Sequence, residues 1–153
     1  MHEPDTPGEL KARALRHLAR REHSRAELEC KLAPHAESPE ALTQLLDALA
    51  AKQQLSDERY AEARAHQLAR KYGAARIRQD LKAKGVDEDI VGRVSAEDET
   101  TRAAAILARK YRTPATTPRE RARRTRFLLQ RGFSHDTIRH VVSSGDGDDA
   151  LNP

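Results

Sequence analysis

The sequence predicts an all-α protein made of three tandem three-helix repeats that form an elongated curved array. One helical phrase occurs three times in the 153 residues, as LARRE at 18–22 and as LARKY at 68–72 and 107–111. A second phrase occurs twice, because LKAKGV at 81–86 aligns with LLQRGF at 128–133. Apolar residues recur at helical spacing, and no stretch alternates with the two-residue period of a strand. Repeats of this size bury their apolar faces against their neighbours, which predicts stacking.

The first repeat is predicted at residues 8–55. Ser24 and Glu27 form a capping box, in which the serine hydroxyl accepts a hydrogen bond from a free N–H group at a helix start. Ser38 is a second N-cap, followed by a proline at the first helical position. These signals predict three helices, at residues 8–22, 24–34 and 39–52.

The second repeat is predicted at residues 56–96. Gly73 and Gly85 each follow a basic helical turn, the usual composition of a helix end. Asp87 is an N-cap for the next helix. The predicted helices occupy residues 56–72, 74–84 and 87–95.

The third repeat is predicted at residues 97–144. Thr117 and Glu120 form a second capping box, and Ser134 is a further N-cap. The segment 112–117 has no equivalent after Tyr72 and is interpreted as an insertion. The predicted helices occupy residues 97–111, 118–131 and 134–144. The polar ends of the chain, residues 1–7 and 145–153, are predicted to be disordered.

Charge is arranged in alternating bands. Residues 11–25 have six basic and one acidic side chain, whereas residues 37–62 have two basic and six acidic ones. The alternation continues along the chain. Residues 64–84 have seven basic and one acidic side chain, residues 87–99 have one basic and six acidic ones, and residues 109–131 have nine basic and one acidic. Stacked repeats would bring the basic helices onto a shared side, which predicts a positive stripe for phosphates or an acidic protein groove.

For any single Lys or Arg, a solvated helix face or a local ion pair is the better interpretation. A whole band of like charge repels itself without a partner, so the bands are interpreted as functional. The predicted partner-binding residues are Arg64, Arg70, Lys71, Arg76, Arg78, Lys82, Lys84, Arg109, Lys110, Arg119, Arg121, Arg123, Arg124, Arg126 and Arg131.

Other classes of site lack their residues. The histidine pairs are five or six residues apart rather than four, and the acidic clusters at 87–89 and 97–99 lie at predicted helix starts, where capping is the favoured role. No phosphate loop or activated nucleophile occurs, so no enzyme, cofactor or metal is predicted. Tyr72 and Tyr111 could stack on bases, but packing between repeats is favoured. The single Cys30 and the lack of a long apolar run predict a cytoplasmic protein without a membrane segment. A monomer is also expected.

Several segments resemble the RecX family of bacterial regulatory proteins. Residues 14–28 (ALRHLARREHSRAEL) are similar to the family's opening. Residues 56–61 (SDERYA), Gly73, 76–81 (RIRQDL) and 84–86 (KGV) are similar to its central signature. The resemblance extends from about residue 10 to residue 144. It departs at Ala74, where the family often has proline, and at the Ala33 to His35 ending of the first repeat.

The resemblance implies nine helices in three tandem repeats. It also implies negative regulation of the RecA recombinase by binding in the groove of the RecA nucleoprotein filament, which would inhibit recombination, ATPase and SOS co-protease activities. Weak, salt-sensitive contacts with single- and double-stranded DNA are expected as well. An alternative hypothesis is a non-sequence-specific nucleic-acid-binding helical module without a RecA target.

Overall fold

A computed structural model of the chain describes residues 3–95 and 98–143. This part of the chain is all-α, as predicted, with nine α-helices and no strand. The helices are α1 (Pro7–Arg20), α2 (Arg25–Leu32), α3 (Pro39–Ala51), α4 (Asp57–Leu68), α5 (Ala74–Ala83), α6 (Glu88–Gly92), α7 (Glu99–Lys110), α8 (Pro118–Gln130) and α9 (His135–Ser143). A 3-10 turn at Ala33–His35 follows α2 directly. Among the described residues, no helix has the length and apolar character needed to cross a membrane.

Most of the predicted capping residues start their helices for the expected reason, but Asp87, at the start of α6, makes no side-chain capping hydrogen bond. The hydroxyl oxygens of Ser24, Ser38 and Thr117 each accept from the backbone N–H three residues later. The acidic members of the two capping boxes bond elsewhere, however. Glu27 accepts from the guanidinium of Arg21, and Glu120 accepts from the backbone N–H and hydroxyl of the residue before the cap. The hydroxyl half of each box is therefore formed and the carboxylate half is not.

The chain divides into two compact units. Unit 1 comprises residues 1–64 and 81–93, and unit 2 comprises residues 65–80 and 94–153. The second predicted repeat is thus shared between the units, because α4 and α5 each contribute residues to both. The predicted repeat boundaries near residues 55 and 96, and the predicted shape of the array, stay predictions.

Each unit has a core built around three helices. In unit 1, α1, α2 and α3 bury a leucine-rich cluster: Leu10, Ala14, Leu28, Leu32, Leu42, Leu46, Leu49 and Leu55. In unit 2, α7, α8 and α9 bury Ala103, Ile106, Leu107, Leu128, Phe133 and Ile138. Burial of apolar side chains at about 25 cal/mol per Å2 supplies the main stabilising free energy of each unit.

The same kind of hydrogen bond, from the backbone N–H at a helix start to a carboxylate distant in sequence, occurs inside both units. In unit 1, the first N–H of α2, at Arg25, donates to the carboxylate of Asp57 over 2.7 Å. In unit 2, the first N–H of α5, at Ala74, donates to the carboxylate of Glu99 over 2.9 Å. In each case, an acidic residue at the start of one repeat's first helix caps the second helix of the preceding repeat. Asp57 and Glu99 therefore each stabilise the start of a second helix besides their own.

Two predicted features are corrected at helix ends. The repeated phrase was expected to stay helical to residues 22, 72 and 111, but α1, α4 and α7 end at Arg20, Leu68 and Lys110. The turn after α4 is held by Arg102, whose guanidinium donates to the carbonyls of Ala69 and Tyr72. These tertiary bonds favour a turn over a continued helix.

Gly73 is not a left-handed helix stop, in contrast to Gly85 and Gly132, whose φ angles are +78° and +87°. Gly73 is instead required by close packing, since a Cβ there would lie 2.4 Å from the carbonyl oxygen of Gly132. The N–H of Gly73 donates to the carbonyl of Arg131 over 2.7 Å. Backbone therefore meets backbone at this point of unit 2, and no side chain fits between.

Asp5, in the segment 1–7 for which disorder is predicted, makes two contacts within unit 1. Asp5 pairs with the guanidinium of Arg13 at 2.8 Å, and its N–H donates to the carbonyl of His35. The hydrogen bond to Arg13 also lowers the pKa of Asp5 below its usual value. The disorder predicted for 145–153, and at the first two residues, lies outside the described residues.

Candidate functional site

The positive charge of the protein is concentrated in unit 2. The described residues of unit 2 hold 15 Lys and Arg against five Asp and Glu, a net charge of +10. The described residues of unit 1 hold 13 basic against 15 acidic side chains, a net charge of −2. The alternating bands of the sequence therefore do not divide equally between the units, and a polyanion would be attracted to unit 2.

The predicted binding residues follow the same division. Three of the 15 lie in unit 1: Arg64, Lys82 and Lys84. The exposed Lys82 lies 3.5 Å from the carboxylate of Glu88, an ion pair of the kind that water screens strongly. The other 12 lie in unit 2: Arg70, Lys71, Arg76, Arg78, Arg109, Lys110, Arg119, Arg121, Arg123, Arg124, Arg126 and Arg131.

Several of these arginines donate to main-chain carbonyl groups. Arg109 donates to the carbonyl of Arg70, Arg76 to that of Gln130, and Arg124 to that of Thr113. Arg78 is half-buried and donates to the carbonyl of Val94, while its Nε is buried without a hydrogen-bond partner. Because helix ends leave carbonyl groups unpaired, these arginines also stabilise the fold of unit 2.

The exposed face of α8 carries a row of basic side chains. Arg119, Arg123 and Arg126 are spaced i, i+4 and i+7, which places them on one side of the helix, and all three are exposed. The sole acid of α8, Glu120, accepts hydrogen bonds from the N–H and hydroxyl of Thr116. The bond from the Thr116 N–H is the main reason that the pKa of Glu120 is lowered.

Four cations and three aromatic rings form a continuous series in unit 2, here named the cation–aromatic ladder. Its members in order of contact are Arg76, Tyr72, Arg131, Phe127, Lys110, Tyr111 and Arg124. The shortest approach, 4.2 Å, joins the ammonium of Lys110 to the Phe127 ring centroid. The rings of Tyr111 and Phe127 also meet edge to face, with 6.2 Å between centroids. Contacts within about 6 Å are attractive because a cation interacts with the ring quadrupole.

The sequence alone did not identify this ladder. The tyrosines were weighed as base-stacking or packing residues, and Phe127 was not singled out. A signal was present, since each ring directly follows a basic residue, at Lys71, Lys110 and Arg126, in a chain with 3% aromatic residues. Three of the six cation–ring pairs of the ladder join residues at most four positions apart, whereas the other three join residues 13, 17 and 59 positions apart, which no local pattern brings together.

Unit 1 contains a buried histidine in contact with an exposed lysine. The ring of His23 is 2% exposed, with Nδ1 lying 3.0 Å from the carbonyl of Arg21 and Nε2 2.9 Å from the ammonium of Lys31. Since an ammonium can only donate, His23 is neutral and its Nδ1 carries the proton. Burial lowers the pKa values of His23 and of the neighbouring His17. Among the described residues, no group of three or more His, Cys, Asp or Glu side chains is arranged to hold a metal ion.

Comparison with known proteins relates the whole chain to one family. Family models described as the first, second and third three-helix domains of RecX match residues 11–49, 56–94 and 97–142. The "Regulatory protein RecX" of Ralstonia nicotianae is 43% identical, with 98% of each chain covered. That of Leptothrix cholodnii is 45% identical, over 90% of this chain and 89% of the relative.

A solved structure agrees with the fold. The crystal structure of RecX from Lactobacillus salivarius superposes with a TM-score of 0.80, covering 92% of this chain and 96% of that one. Its sequence identity is 21%, so the likeness concerns the fold.

Proposed function

Since the chain belongs to the RecX family of regulatory, non-enzymatic proteins, we propose that it is a negative regulator of the RecA recombinase. In this proposal it binds in the groove of the RecA–DNA filament through its basic residues. Its occupancy opposes filament growth and inhibits recombination, ATPase and SOS co-protease activities. The protein acts as a cytoplasmic monomer, and DNA phosphates are a second, salt-sensitive partner.

The observation that carries this proposal is family membership over all three domains together with the charge of unit 2. A RecA–DNA filament includes a polyanion, and a unit with a net charge of +10 over its described residues is attracted to it over a distance of about one Debye length, roughly 8–10 Å. Binding of this kind needs no reacting groups. A regulator that works by occupancy requires only a surface that fits and stays bound.

The exposed row on α8 is the best candidate for the contact. Arg119, Arg123 and Arg126 are exposed on one face, and guanidinium groups bind carboxylates and phosphates through paired N–H donors. Arg76, Arg109 and Arg124, in contrast, also donate to carbonyl groups within unit 2, so replacing them would disturb the fold as well as remove charge. Replacing the exposed row should therefore reduce partner binding with little effect on folding.

The test is the RecA ATPase assay on single-stranded DNA. The wild-type protein should inhibit turnover, and the triple variant R119Q/R123Q/R126Q should require at least a tenfold higher concentration for the same inhibition. A matched control is K11Q/R16Q/R20Q, which removes three charges from exposed positions of α1 in unit 1. Unchanged turnover at saturating wild-type protein would exclude the function, and equal effects of the two triple variants would exclude the α8 surface.

The same assay addresses the alternative of a nucleic-acid-binding module without a RecA target. In that case, inhibition should disappear when DNA is present in large excess over RecA, because free DNA would take up the protein. A direct RecA contact predicts instead that the protein co-sediments with assembled filaments under these conditions.

A further inference from the structure

We propose that the cation–aromatic ladder of unit 2 is a binding site for the sugar-phosphate backbone of single-stranded nucleic acid. The inference deepens the function proposed above, since it names the chemical group that this basic unit takes and the residues that take it. It concerns a direct contact with nucleic acid that does not require RecA.

The first argument is continuity of charge. Arg131 and Lys110 lie 5.0 and 4.2 Å from the centroid of the same Phe127 ring, so these two charges are at most about 9 Å apart. By the same reasoning through Tyr72 and Tyr111, the other neighbouring cations are separated by at most about 10 Å. These separations are comparable to a Debye length of about 8–10 Å, so the fields of neighbouring cations overlap along the ladder.

The second argument is the order of the side chains before any ligand binds. Arg76, Arg124 and Arg131 each donate to a main-chain carbonyl, at 3.0, 2.7 and 3.4 Å, and each also lies over a ring. A guanidinium has five N–H donors, so several remain for phosphate oxygens. Because the arginines are already held in place, binding costs less side-chain entropy than it would for mobile surface residues.

The third argument decides between phosphate and base. The rings of Tyr72, Tyr111 and Phe127 are half-buried, and each is covered by two cations of the ladder. Bases usually stack on exposed aromatic faces. Here those faces are occupied by the cations, whose donors are the groups left for a ligand. The chemistry therefore favours the backbone of a strand over its bases.

The fourth argument concerns strandedness. The cations come from α5, the end of α7, α8 and the residue after α8, and their spacing is set by the rings rather than by a regular repeat. A duplex is stiff over about 150 base pairs and presents phosphates in a fixed pattern, whereas a single strand can adapt to irregular spacing. The ladder is consequently better matched to a single strand.

The experiment measures binding of labelled oligothymidylate and of an abasic strand of equal length by fluorescence anisotropy, without RecA, over a salt series. The wild-type protein should bind both strands with dissociation constants that agree within about twofold, and more tightly than a duplex of that length. A tenfold weaker affinity for the abasic strand, or a preference for the duplex, would overturn the proposal.

Two lysine variants separate the ladder from general charge. Lys110→Gln removes an exposed cation of the ladder, whereas Lys52→Gln removes an exposed lysine just after α3 in unit 1. Lys110→Gln should lower the slope of log affinity against log salt by about 0.7, the value for one phosphate contact on a single strand, and Lys52→Gln should not. Equal slopes for the two variants would overturn the proposal.

A third variant tests the rings. Phe127→Leu keeps every charge but removes one of the two rings that Arg131 and Lys110 each contact, namely the ring they share. The affinity should fall about three- to fivefold at constant salt slope, and circular dichroism checks that the helices are retained. Unchanged affinity in a folded variant would overturn the role of the rings. RecA inhibition is scored separately, so failure of the proposed function and failure of this site are distinguishable.

Discussion

Replacing Glu99 should destabilise unit 2, because its buried carboxylate caps a helix that lies far away in sequence. Glu99 is 6% exposed, and its two carboxylate oxygens accept from the N–H of Ala74 at 2.9 Å and from the hydroxyl of Thr137 at 3.1 Å. Ala74 begins α5 after Gly73, which has no side chain to cap the helix. Glu99 therefore supplies the cap from another helix.

The magnitude follows from these contacts. Hydrogen bonds to a charged group contribute about 1.5–3 kcal/mol each, and a buried N–H left without an acceptor costs about 1–3 kcal/mol. The cost of desolvating the carboxylate offsets part of this sum. We expect Glu99→Ala to lower the free energy of unfolding by about 3 kcal/mol. Glu99→Gln keeps one oxygen for Ala74 and should lower it by about 1 kcal/mol.

Asp57 provides the matched comparison. It makes the equivalent bond to the N–H of Arg25 in unit 1, but both residues are half-buried, so water can replace the lost carboxylate. Asp57→Ala should lower the free energy of unfolding by about 1 kcal/mol, the usual value for a helix cap. The difference between the two alanine variants isolates the effect of burial.

Urea unfolding followed by circular dichroism gives the free energies, and amide hydrogen exchange at Ala74 gives a local readout. The Ala74 amide should exchange faster in Glu99→Ala than in Asp57→Ala. If Glu99→Ala is no less stable than Asp57→Ala, or if Ala74 stays equally protected, the carboxylate is not the cap that its geometry indicates.

Three further predictions concern backbone packing, a shared hydroxyl and pH. Gly73→Ala should lower the free energy of unfolding by more than about 2 kcal/mol in a thermal or urea melt, because its Cβ would meet backbone at 2.4 Å. The control Gly8→Ala, whose Cβ would have nothing within 4 Å, should be neutral or stabilising by up to about 1 kcal/mol. Equal effects of the two variants would contradict the close approach at Gly73. Ser24→Ala should lower the free energy of unfolding by about 1 kcal/mol more than Ser38→Ala in the same assay. Ser24 caps α2 and also donates to a carbonyl over 2.8 Å, whereas Ser38 only caps α3. Equal losses would mean that the donated bond contributes nothing to stability. Burial holds the pKa of His23 below its ordinary value of 6.5, so protonation of this ring favours the unfolded chain. The contribution of the neutral ring to the free energy of unfolding is present above pH 6.5 and is lost as the pH falls from 6.5 through the lowered pKa. Urea titrations at several pH values should show a smaller decline in His23→Gln.

Much of the helical structure was predictable because its signals are local. A serine or threonine hydroxyl three residues before a free N–H, and a proline at the first helical position, act within one turn of chain. Starts such as those of α2, α3 and α8 therefore agree with the sequence to within one residue. The ends of α1 and α4 were placed two and four residues too late, because side chains distant in sequence hold the turns that follow them.

The candidate site was predictable in composition but not in arrangement. The basic bands identified the residues, and 12 of the 15 lie in unit 2. Which of these arginines donate to carbonyl groups depends on neighbours 11 to 60 residues away, as for Arg124 with Thr113 and Arg109 with Arg70. The ladder likewise joins Tyr72 to Arg131, a pair that no local pattern brings together.

The amino-acid sequence by itself determined the class of fold, the number of helices and the excess of basic residues, since periodicity, capping and charge are properties of short segments. Only the tertiary structure decided that Glu99 caps α5, that Gly73 lies against backbone, and that four cations share three rings. The Glu99 and Gly73 contacts join residues 25 and 59 positions apart, and the ladder joins Tyr72 to Arg131 across 59 positions; packing of complete helices is what brings them within a few ångströms. The physical reason is that helix formation is local, whereas the partners of a side chain are set by which helix faces are buried together.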